Sequence, residues 1–320
     1  MEHKFISDIE PGQAISDIYI VTQPILRSTV RGDLYIAMFL SDRTGQINAR
    51  MWQASEDIYK MLPKPGFVHI EGRSELYQNS LQIIINNISV VDAGKVSLDD
   101  FLARTDKDTG QMFEEVKKAV AKVANPQLRA LAGEFLADGE LMEKFCKGPA
   151  ATSMHHSYLG GLLEHTWNCL RVAGAILPLY PEVQGDLVLA GIFLHDMGKT
   201  QEMTYDMAFS YTDQGQLLGH ITLGVLLVQQ KAASLATRGK PVDKVILDAL
   251  SHIILSHHGQ YDFGSPKLPA TAEAFMVYYI DDMDAKINQV SKAIENEASD
   301  SDWTSWQKAL ETRLYRKRIE

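Results

Sequence analysis

The sequence has little of what secreted, disulfide-linked or membrane-spanning proteins need. Its 320 residues include two cysteines, Cys146 and Cys169, which excludes a disulfide framework and a CxxC zinc site. No apolar run reaches the length of a membrane span, and the N-terminal stretch MEHKFISDIE lacks the basic and apolar regions of a signal peptide. We therefore expect a cytoplasmic protein with two reduced thiols and no membrane partner.

Positive charge is also scarce. The chain has 31 Lys and Arg against 41 Asp and Glu, which gives a net charge of −10 at pH 7. This balance excludes a globally basic nucleic-acid binder, although it leaves room for a local basic track. The length allows two domains, each with its own core, and a composition of 45% hydrophobic and 22% charged residues is ordinary for a globular protein.

Alternating apolar and polar runs fill residues 1–92 and predict β-structure. Turn signals such as Pro11-Gly12, Asp42-Arg43-Thr44-Gly45 and Pro65-Gly66 separate the runs, which are AISDIYIVT, LYIAMFLSD, GQINARMW, GFVHIEGRSEL and LQIIINNISVV. Five short strands with one helical insert predict a small closed barrel of the oligonucleotide/oligosaccharide-binding (OB) type. The stretch YIAMFLSDRTGQINARMW resembles the second and third strands of nucleic-acid-binding OB domains.

The pattern changes after the barrel segment. Residues 93–112 are polar with no sustained period and predict a linker. From residue 113 onward, apolar residues recur at three- and four-residue spacing, which predicts an all-helical domain over residues 113–320. The expected fold is therefore a multi-domain α+β chain in which a five-stranded barrel is followed by a helical bundle.

The stretch GIFLHDMGKT contains an unusual helix end. An apolar run that predicts a buried helix stops at His195 and Asp196, and Gly198 is expected to end the helix in a left-handed conformation. Asp196 would then lie at the helix C-terminus, where the macrodipole disfavours a carboxylate and burial makes an unpaired charge costly. A positive partner is therefore expected, either Lys199 or a metal ion with His195 as a second ligand.

Other histidines and carboxylates occupy comparable positions on separate predicted helices. The candidates are His165 on an inward helix face, His220 near a helix start, His257 and His258 before the helix-ending Gly259, and Asp281 with Asp284 on one face of a late helix. A single inward histidine is more often a packed core residue than a ligand. Together, however, these imidazoles and carboxylates predict one or two sites for first-row divalent metals inside the bundle.

The order H…HD…D on successive helices resembles the HD superfamily of metal-dependent phosphohydrolases. The resemblance assigns His165 as the first histidine, His195-Asp196 as the HD pair and Asp281 as the final aspartate, with His220, His257 and His258 as ligands of a second metal. The stretch HHGQYDFGSP partly resembles the HD-GYP cyclic-dinucleotide phosphodiesterases. Gly259 replaces their acidic residue and the GYP tripeptide is missing, so that activity is not expected.

A second resemblance covers nearly the whole chain. A barrel of OB type followed by HHSYLGGLLEHT, FLHDMGK, GHI, LSHHGQYDFGSP and YIDDMDAKI is similar to the YhaM-type 3′→5′ exoribonucleases. The family implies that the OB domain holds a single-stranded RNA, or a single-stranded DNA, while the HD domain hydrolyses it with a metal-activated water. The implied cofactor is one or two divalent ions. We favour Mn²⁺, and Fe²⁺, Co²⁺, Ni²⁺, Zn²⁺ and Mg²⁺ are compatible.

The resemblance also gives roles to residues around the metal ligands. Asp196 would be catalytic, and Lys199 would hold a phosphoryl oxygen, unless it is only a helix-end lysine with its ammonium group in solvent. His155 would contact phosphate, and His156 would do the same or protonate the leaving group.

For the barrel, the candidate nucleic-acid contacts are aromatic stacking residues and phosphate-binding arginines. They are Tyr35 and Trp52 for the bases and Arg43, Arg50 and Arg73 for the phosphates. Because alternate side chains of a barrel strand point inward, some aromatic residues of this segment belong to its core.

Two alternatives stay open at this point. The chain could be an HD-type phosphohydrolase acting on mononucleotides, although a mononucleotide needs no strand-holding module. It could also be a non-catalytic nucleic-acid-binding protein, although a decayed site would be expected to lack a ligand. The sequence does not set the number of subunits, and a homo-oligomer is compatible with it.

Overall fold

The computed structural model describes residues 3–77, 80–151, 156, 158–205, 210–295, 297 and 300–317. The chain divides into two compact units, Met1–Arg104 with Tyr205–Phe209, and Thr105–Thr204 with Ser210–Glu320. Within the described residues, no helix is long and apolar enough to cross a membrane. Cys146 and Cys169 are free thiols.

The first unit is built on a closed five-stranded barrel. Its elements are β1 (Ala14–Ser28), β2 (Leu34–Asp42), β3 (Gly45–Trp52), the short helix α1 (Glu56–Met61), β4 (Gly66–Tyr77) and β5 (Ser80–Val90). The strand order around the barrel is β1-β2-β3-β5-β4, with β3 and β5 parallel and the other neighbours antiparallel. This arrangement confirms the predicted OB-type barrel and its helical insert.

Alternation along β2 separates the barrel core from its outer surface. Ile36, Met38 and Leu40 point into the core, and the residues between them are only partly buried. The β2–β3 turn is closed by Asp42, whose Oδ1 accepts hydrogen bonds from Thr44 N at 2.7 Å and Thr44 Oγ1 at 2.6 Å. The side chains of Asp and Thr in this turn therefore fix the hairpin that the sequence pattern predicted.

The segment after the barrel contains some regular structure. Two short 3₁₀ helices, Ala93–Lys95 and Leu98–Asp100, follow β5. The first helix of the second unit, α2 (Thr109–Ala121), begins within the range predicted as a linker, and Asp108 caps its N-terminus. Residues 93–112 are therefore polar partly because they connect the two units and partly because they include the cap and the first turn of α2.

The second unit is a helical bundle, as predicted from the apolar spacing, but the prediction that helices continue to its C-terminus is wrong, because the described residues 300–317 form turns and two isolated β-bridges instead. After α2 its elements are α3 (Pro126–Leu136), α4 (Gly139–Lys147), α5 (Gly161–Ile176), α6 (Gly185–Leu194), α7 (Lys199–Glu202), the two-residue strands β6 (Met203–Thr204) and β7 (Ser210–Tyr211), α8 (Asp213–Thr237), α9 (Lys244–Ser256) and α10 (Ala272–Glu295). Helix α6 contacts α2, α3, α5, α9 and α10. Because neighbours surround it, nearly every residue of α6 is apolar.

Candidate metal centre

The end of α6 places His195 and Asp196 in the interior of the bundle. The helix ends at Leu194, His195 caps it, and a tight turn leads directly into α7. Gly198 does not adopt the left-handed conformation that we expected, since its φ is −61°. A Cβ at Gly198 would lie 1.9 Å from the carbonyl oxygen of His220 and 2.7 Å from Gly224 N. Glycine is therefore required here by the close approach of α8.

Among the described residues, only one of the two carboxylate oxygens of Asp196 has a hydrogen-bond partner. Lys199 Nζ donates to Oδ2 at 2.6 Å, and both side chains are buried. Asp196 Oδ1 is buried and accepts no hydrogen bond from the residues that the structure describes. It lies 3.6 Å from His220 Nε2 and 3.6 Å from His257 Nε2, which are also buried without a hydrogen-bond partner there. Lys199 therefore satisfies only part of the need for positive charge at this carboxylate.

Five histidines share one orientation around Asp196. In each, Nδ1 hydrogen-bonds to an acceptor at the periphery, which leads us to assign the proton to Nδ1 and the lone pair to Nε2. The acceptors are Asp284 Oδ2 for His165 at 2.7 Å, the carbonyls of Ile192 for His195, Ile254 for His257 and Phe263 for His258, each at 2.7 Å, and Glu202 Oε1 for His220 at 3.1 Å.

The inward-facing atoms form two adjoining groups that meet at Asp196. In the first, His165 Nε2 lies 3.1 Å from Asp281 Oδ1 and 3.3 Å from His195 Nε2, which lies 3.3 Å from Asp196 Oδ2. The second is formed by His220, His257 and His258 on the side of Asp196 Oδ1. The structure thus brings together all seven residues predicted as metal ligands.

These donor atoms fit divalent cations. Lone pairs from imidazole and carboxylate groups converge in a buried space, and the unpartnered ones are costly unless a cation binds them. Although burial favours the neutral acid, the surrounding lysine and histidines hold the pKa of Asp196 well below its usual value. Burial and the imidazoles of His257 and His220 lower the pKa of His258 to about 3, so this ring is a neutral donor.

Lys199 is held as a cation in this environment. Burial disfavours the ammonium form, but the Asp196 carboxylate outweighs it and raises the pKa of Lys199. The side chain also lines the pocket next to the centre. Only 8% of the side chain is exposed, so its charged end does not extend into solvent, and its contact with a phosphoryl oxygen stays a prediction.

Two further carboxylates support the site: Asp284, which the sequence placed beside Asp281 without a role of its own, and Glu202, which was not predicted. Asp284 Oδ2 accepts hydrogen bonds from His165 Nδ1 at 2.7 Å and His156 Nε2 at 2.9 Å. Its spacing of three residues from Asp281 was the signal that places it on the same face of α10. Glu202, which holds both the ring and the backbone N–H of His220, follows from no periodic pattern because it depends on how α7 turns back onto α8.

His156 does not have the substrate-contacting geometry that we expected. Both ring nitrogens are engaged, Nδ1 with Tyr158 Oη at 2.7 Å and Nε2 with Asp284, and the residue is 1% exposed. Burial lowers the pKa of His156 below its ordinary value, opposed by Asp284. Its position behind Asp284 is that of a positioning residue. The neighbouring candidate His155 lies outside the described residues.

On the barrel, three of the predicted nucleic-acid contacts lie together on the outer surface. Tyr35 and Trp52 are cross-strand partners with ring centroids 4.9 Å apart, and Trp52 is 42% exposed. The Arg50 guanidinium lies 5.9 Å from the Trp52 ring centroid and 5.1 Å from that of Tyr77. Arg27, the partner of Tyr35 across β1, is also exposed, and neither it nor Tyr77 was predicted.

Arg43 and Arg73 are not part of that cluster. Arg43 donates to the Asp99 carbonyl at 3.1 Å and lies over the Phe5 ring at 4.3 Å. Arg73 donates from Nε to the Gly12 carbonyl at 3.1 Å. These contacts give both guanidinium groups a role in holding the barrel, and their contact with phosphates stays a prediction.

The chain is similar to known proteins over nearly its whole length. The HD domain family matches residues 162–286. The 3′-5′ exoribonuclease YhaM of Geobacillus sp. (strain WCH70) is 32% identical over 318 residues, covering 99% of this chain and 95% of that protein. YhaM of Bacillus subtilis (strain 168) is 32% identical over 309 residues, covering 96% of each. The second OB-fold domain of replication protein A from Methanococcus maripaludis aligns with 31% of this chain and all of that domain, at 21% identity and a TM-score of 0.25.

Proposed function

The chain belongs to the family of the YhaM 3′-5′ exoribonucleases, and on that premise we propose that it shortens single-stranded RNA from its 3′ end by metal-dependent hydrolysis. The observation that carries the proposal is the convergence of five histidine Nε2 atoms with the carboxylates of Asp196 and Asp281. Asp196 Oδ1, His220 Nε2 and His257 Nε2 are buried without a hydrogen-bond partner among the described residues, although Lys199 neutralises Asp196 Oδ2, and unpartnered acceptors of this kind are costly unless a cation binds them.

The centre holds two divalent ions in this proposal. His165, His195, Asp196 and Asp281 would hold one of them, and His220, His257 and His258, with Asp196 shared, would hold the other. Imidazole and carboxylate donors accept several first-row metals, among which we favour Mn²⁺. When bound, such ions lower the pKa of water and neutralise charge on phosphoryl oxygens.

The protein's own residues orient and neutralise the reacting group. Asp284 keeps the proton of His165 on Nδ1, and His156 fixes Asp284 from the other side. Lys199 keeps its ammonium group at the wall of the pocket, where it attracts the phosphodiester and stabilises the charge that grows on it. Burial of the ligands excludes bulk water, which strengthens each of these electrostatic interactions.

The barrel holds the strand through the cluster of Tyr35, Arg50 and Trp52. Bases stack on exposed aromatic rings regardless of sequence, and arginine adds attraction for the phosphates. The mildly acidic barrel segment, with eight Lys and Arg against eleven Asp and Glu in residues 1–92, makes this local cluster more important than the net charge.

The test is hydrolysis of a short 5′-labelled single-stranded RNA and of its DNA counterpart, first with Mn²⁺ and then with a chelator. A ladder that shortens from the 3′ end and disappears with chelator is expected. Internal cleavage, or activity that persists after complete metal removal, would contradict the proposal. Intact oligonucleotides together with hydrolysis of mononucleotides would favour a nucleotide phosphohydrolase instead.

A further inference from the structure

The chain beyond α10 contains a small hairpin at residues 303–315, which we call the C-terminal hairpin. Two isolated β-bridges join its arms, Trp303 with Tyr315 at the open end and Gln307 with Thr312 next to the turn. The hairpin belongs to the second unit. It contains none of the residues assigned to the metal centre or to the strand-holding surface of the barrel.

Hydrogen bonds attach this hairpin to the chain just after α10. Thr304 is buried, its backbone N–H donates to the Leu314 carbonyl at 2.9 Å, and its Oγ1 accepts from Leu314 N at 3.0 Å. The Arg316 guanidinium donates to the Glu297 carbonyl at 3.3 Å, and Glu297 Oε2 accepts from Ser305 N at 2.6 Å. The hairpin is therefore held in place against the helical unit at its open end.

The turn of the hairpin lies at a pocket beside the metal centre. Ala309, in this turn, lines a pocket of about 300 Å³ together with Lys199 and the candidate ligands His257, His258 and Asp281. The hairpin therefore adjoins the place that the end of a strand must reach for hydrolysis.

Three aromatic rings of the hairpin are left in solvent. Trp303, Trp306 and Tyr315 are 50%, 61% and 45% exposed, and the ring centroids of Trp303 and Tyr315 lie 5.1 Å apart. Trp306 precedes Ala309 by three residues, so their backbones are at most about 11 Å apart. Large exposed side chains grouped on a surface mark an interaction site, and aromatic rings are the groups on which the bases of a single strand stack.

Positive charge accompanies these rings in a protein that is acidic as a whole. Residues 303–317 contain four Lys and Arg and one carboxylate, whereas the chain carries a net charge of −10. Lys308, Arg313 and Lys317 are exposed. Basic groups beside aromatic rings suit a single-stranded nucleic acid, whereas a protein seated here would cover the pocket that the substrate must enter.

We propose that the C-terminal hairpin is a second binding surface for single-stranded RNA, in addition to the surface of the barrel. Bases stack on Trp306 and on the pair of Trp303 and Tyr315, while Lys308 and Arg313 attract the phosphates. The inference rests on the proposed exonuclease function, which supplies the strand. Because the hairpin holds the strand outside the reacting group, its contribution belongs to substrate binding rather than to the chemical step.

The test measures binding of a short, fluorescently labelled single-stranded RNA to the metal-free, full-length protein by fluorescence anisotropy. Trp306→Ala should weaken binding at least about fivefold, which is the effect of one lost stacking contact. Tyr180→Ala is the matched control, because Tyr180 is also exposed on the helical unit but lies outside the hairpin and the pocket. This variant should bind RNA as the wild type does.

Salt dependence tests the basic side chains separately. Arg313→Gln should reduce the slope of the logarithm of affinity against the logarithm of salt concentration by about 0.7, the value for one phosphate contact to a single strand. Arg129→Gln, at an exposed position of α3, is the matched control and should keep the wild-type slope.

Kinetics distinguish strand binding from mere support of the pocket. Trp306→Ala should raise KM for RNA more than it lowers kcat, and it should bind Mn²⁺ with wild-type affinity. A loss of kcat together with Mn²⁺ affinity would instead show that the hairpin supports the metal centre, and it would overturn the proposal.

Two further results would overturn it. One is wild-type RNA affinity in folded Trp306→Ala and Arg313→Gln proteins. The other is a wild-type dimer, detected by light scattering, that Trp306→Ala dissociates without a change in RNA affinity, since the hairpin would then be an interface between two copies of the chain.

The binding assay also separates a failure of this proposal from a failure of the exonuclease, because it requires no hydrolysis. If the hairpin variants weaken RNA binding but the wild type degrades no RNA, the hairpin surface stands and the exonuclease fails. If the wild type shortens RNA from its 3′ end and the hairpin variants bind and degrade it equally well, the hairpin surface fails.

Discussion

Replacing Asp284 by asparagine is expected to weaken metal binding about thirtyfold without changing any ligand. Asp284 Oδ2 accepts two hydrogen bonds, from His165 Nδ1 at 2.7 Å and from His156 Nε2 at 2.9 Å. The carboxylate holds the His165 proton on Nδ1, which leaves Nε2 available for a cation. Asparagine has nearly the same shape but carries no charge, so it holds this tautomer less firmly.

The magnitude follows from the change in hydrogen-bond type. A hydrogen bond to a charged group contributes about 1.5–3 kcal/mol and a neutral one about 0.5–1.5 kcal/mol, so each of the two bonds loses about 1 kcal/mol. The combined loss of about 2 kcal/mol is about thirtyfold in a dissociation constant, since 1.4 kcal/mol is tenfold. Groups that orient metal-binding histidines typically contribute 10–100-fold, which brackets this value.

The assay is calorimetric titration of metal-free Asp284→Asn and wild-type protein with Mn²⁺. Glu295→Gln is the matched control, because it removes a carboxylate from an exposed position of the same helix α10 and should bind metal as the wild type does. Equal Mn²⁺ affinity of wild type and Asp284→Asn would refute the reasoning that Asp284 positions His165.

Three further predictions concern the barrel surface, the α7–α8 contact and the metal. Trp52→Ala should weaken single-stranded RNA binding by about 1–3 kcal/mol in fluorescence anisotropy, because it removes an exposed stacking ring, and unchanged affinity would exclude this surface. Gly198→Ala should lower the melting temperature by several degrees, since its Cβ would meet backbone atoms of His220 and Gly224, and a wild-type melting curve would contradict that packing. Mn²⁺ at about 100 times its dissociation constant should stabilise the protein by about 2.7 kcal/mol, and chelator should reverse the rise in melting temperature. If Mn²⁺ does not change the melting temperature, the protein has no metal site that forms only in the folded state.

The barrel was predictable because its information is local. Short stretches of sequence are enough to predict its strands and turns. Examples are the alternation of Ile36, Met38 and Leu40 along β2 and the closing turn from Asp42 to Gly45. The outer-surface partners were not predictable in the same way. Arg27 joins Tyr35 only through the β1–β2 register, and alternation along one strand does not give that register.

The candidate metal ligands were recognisable because imidazoles and carboxylates recur within and at the ends of helices, most of them apolar, where an unpaired polar group is costly to bury. Their supporting residues were recognisable only in part. Asp284 follows Asp281 by one helical turn, whereas Glu202 reaches His220 through the fold of α7 against α8. The need for glycine at position 198 was unpredictable for the same reason. It arises because the backbone of His220, 22 residues later in the chain, leaves no room for a Cβ, and not from the conformation of Gly198 itself.

His156 illustrates the difference between proximity and role. Its position near the first motif predicted contact with substrate, but Tyr158 and Asp284 occupy both ring nitrogens. Which hydrogen bonds a ring makes depends on tertiary contacts that no short motif encodes. The structure therefore indicates that His156 supports His165 through Asp284 and does not contact the reacting group.

The most direct test of the account is to measure hydrolysis and strand binding together for Asp196→Ala. Asp196 lies between the two ligand groups, with Oδ2 toward His195 and Oδ1 toward His220 and His257. Its loss should abolish 3′→5′ degradation of RNA and greatly weaken Mn²⁺ binding, while the barrel keeps its affinity for the strand. Undiminished degradation by a folded Asp196→Ala protein would contradict the assignment of this centre as the active site.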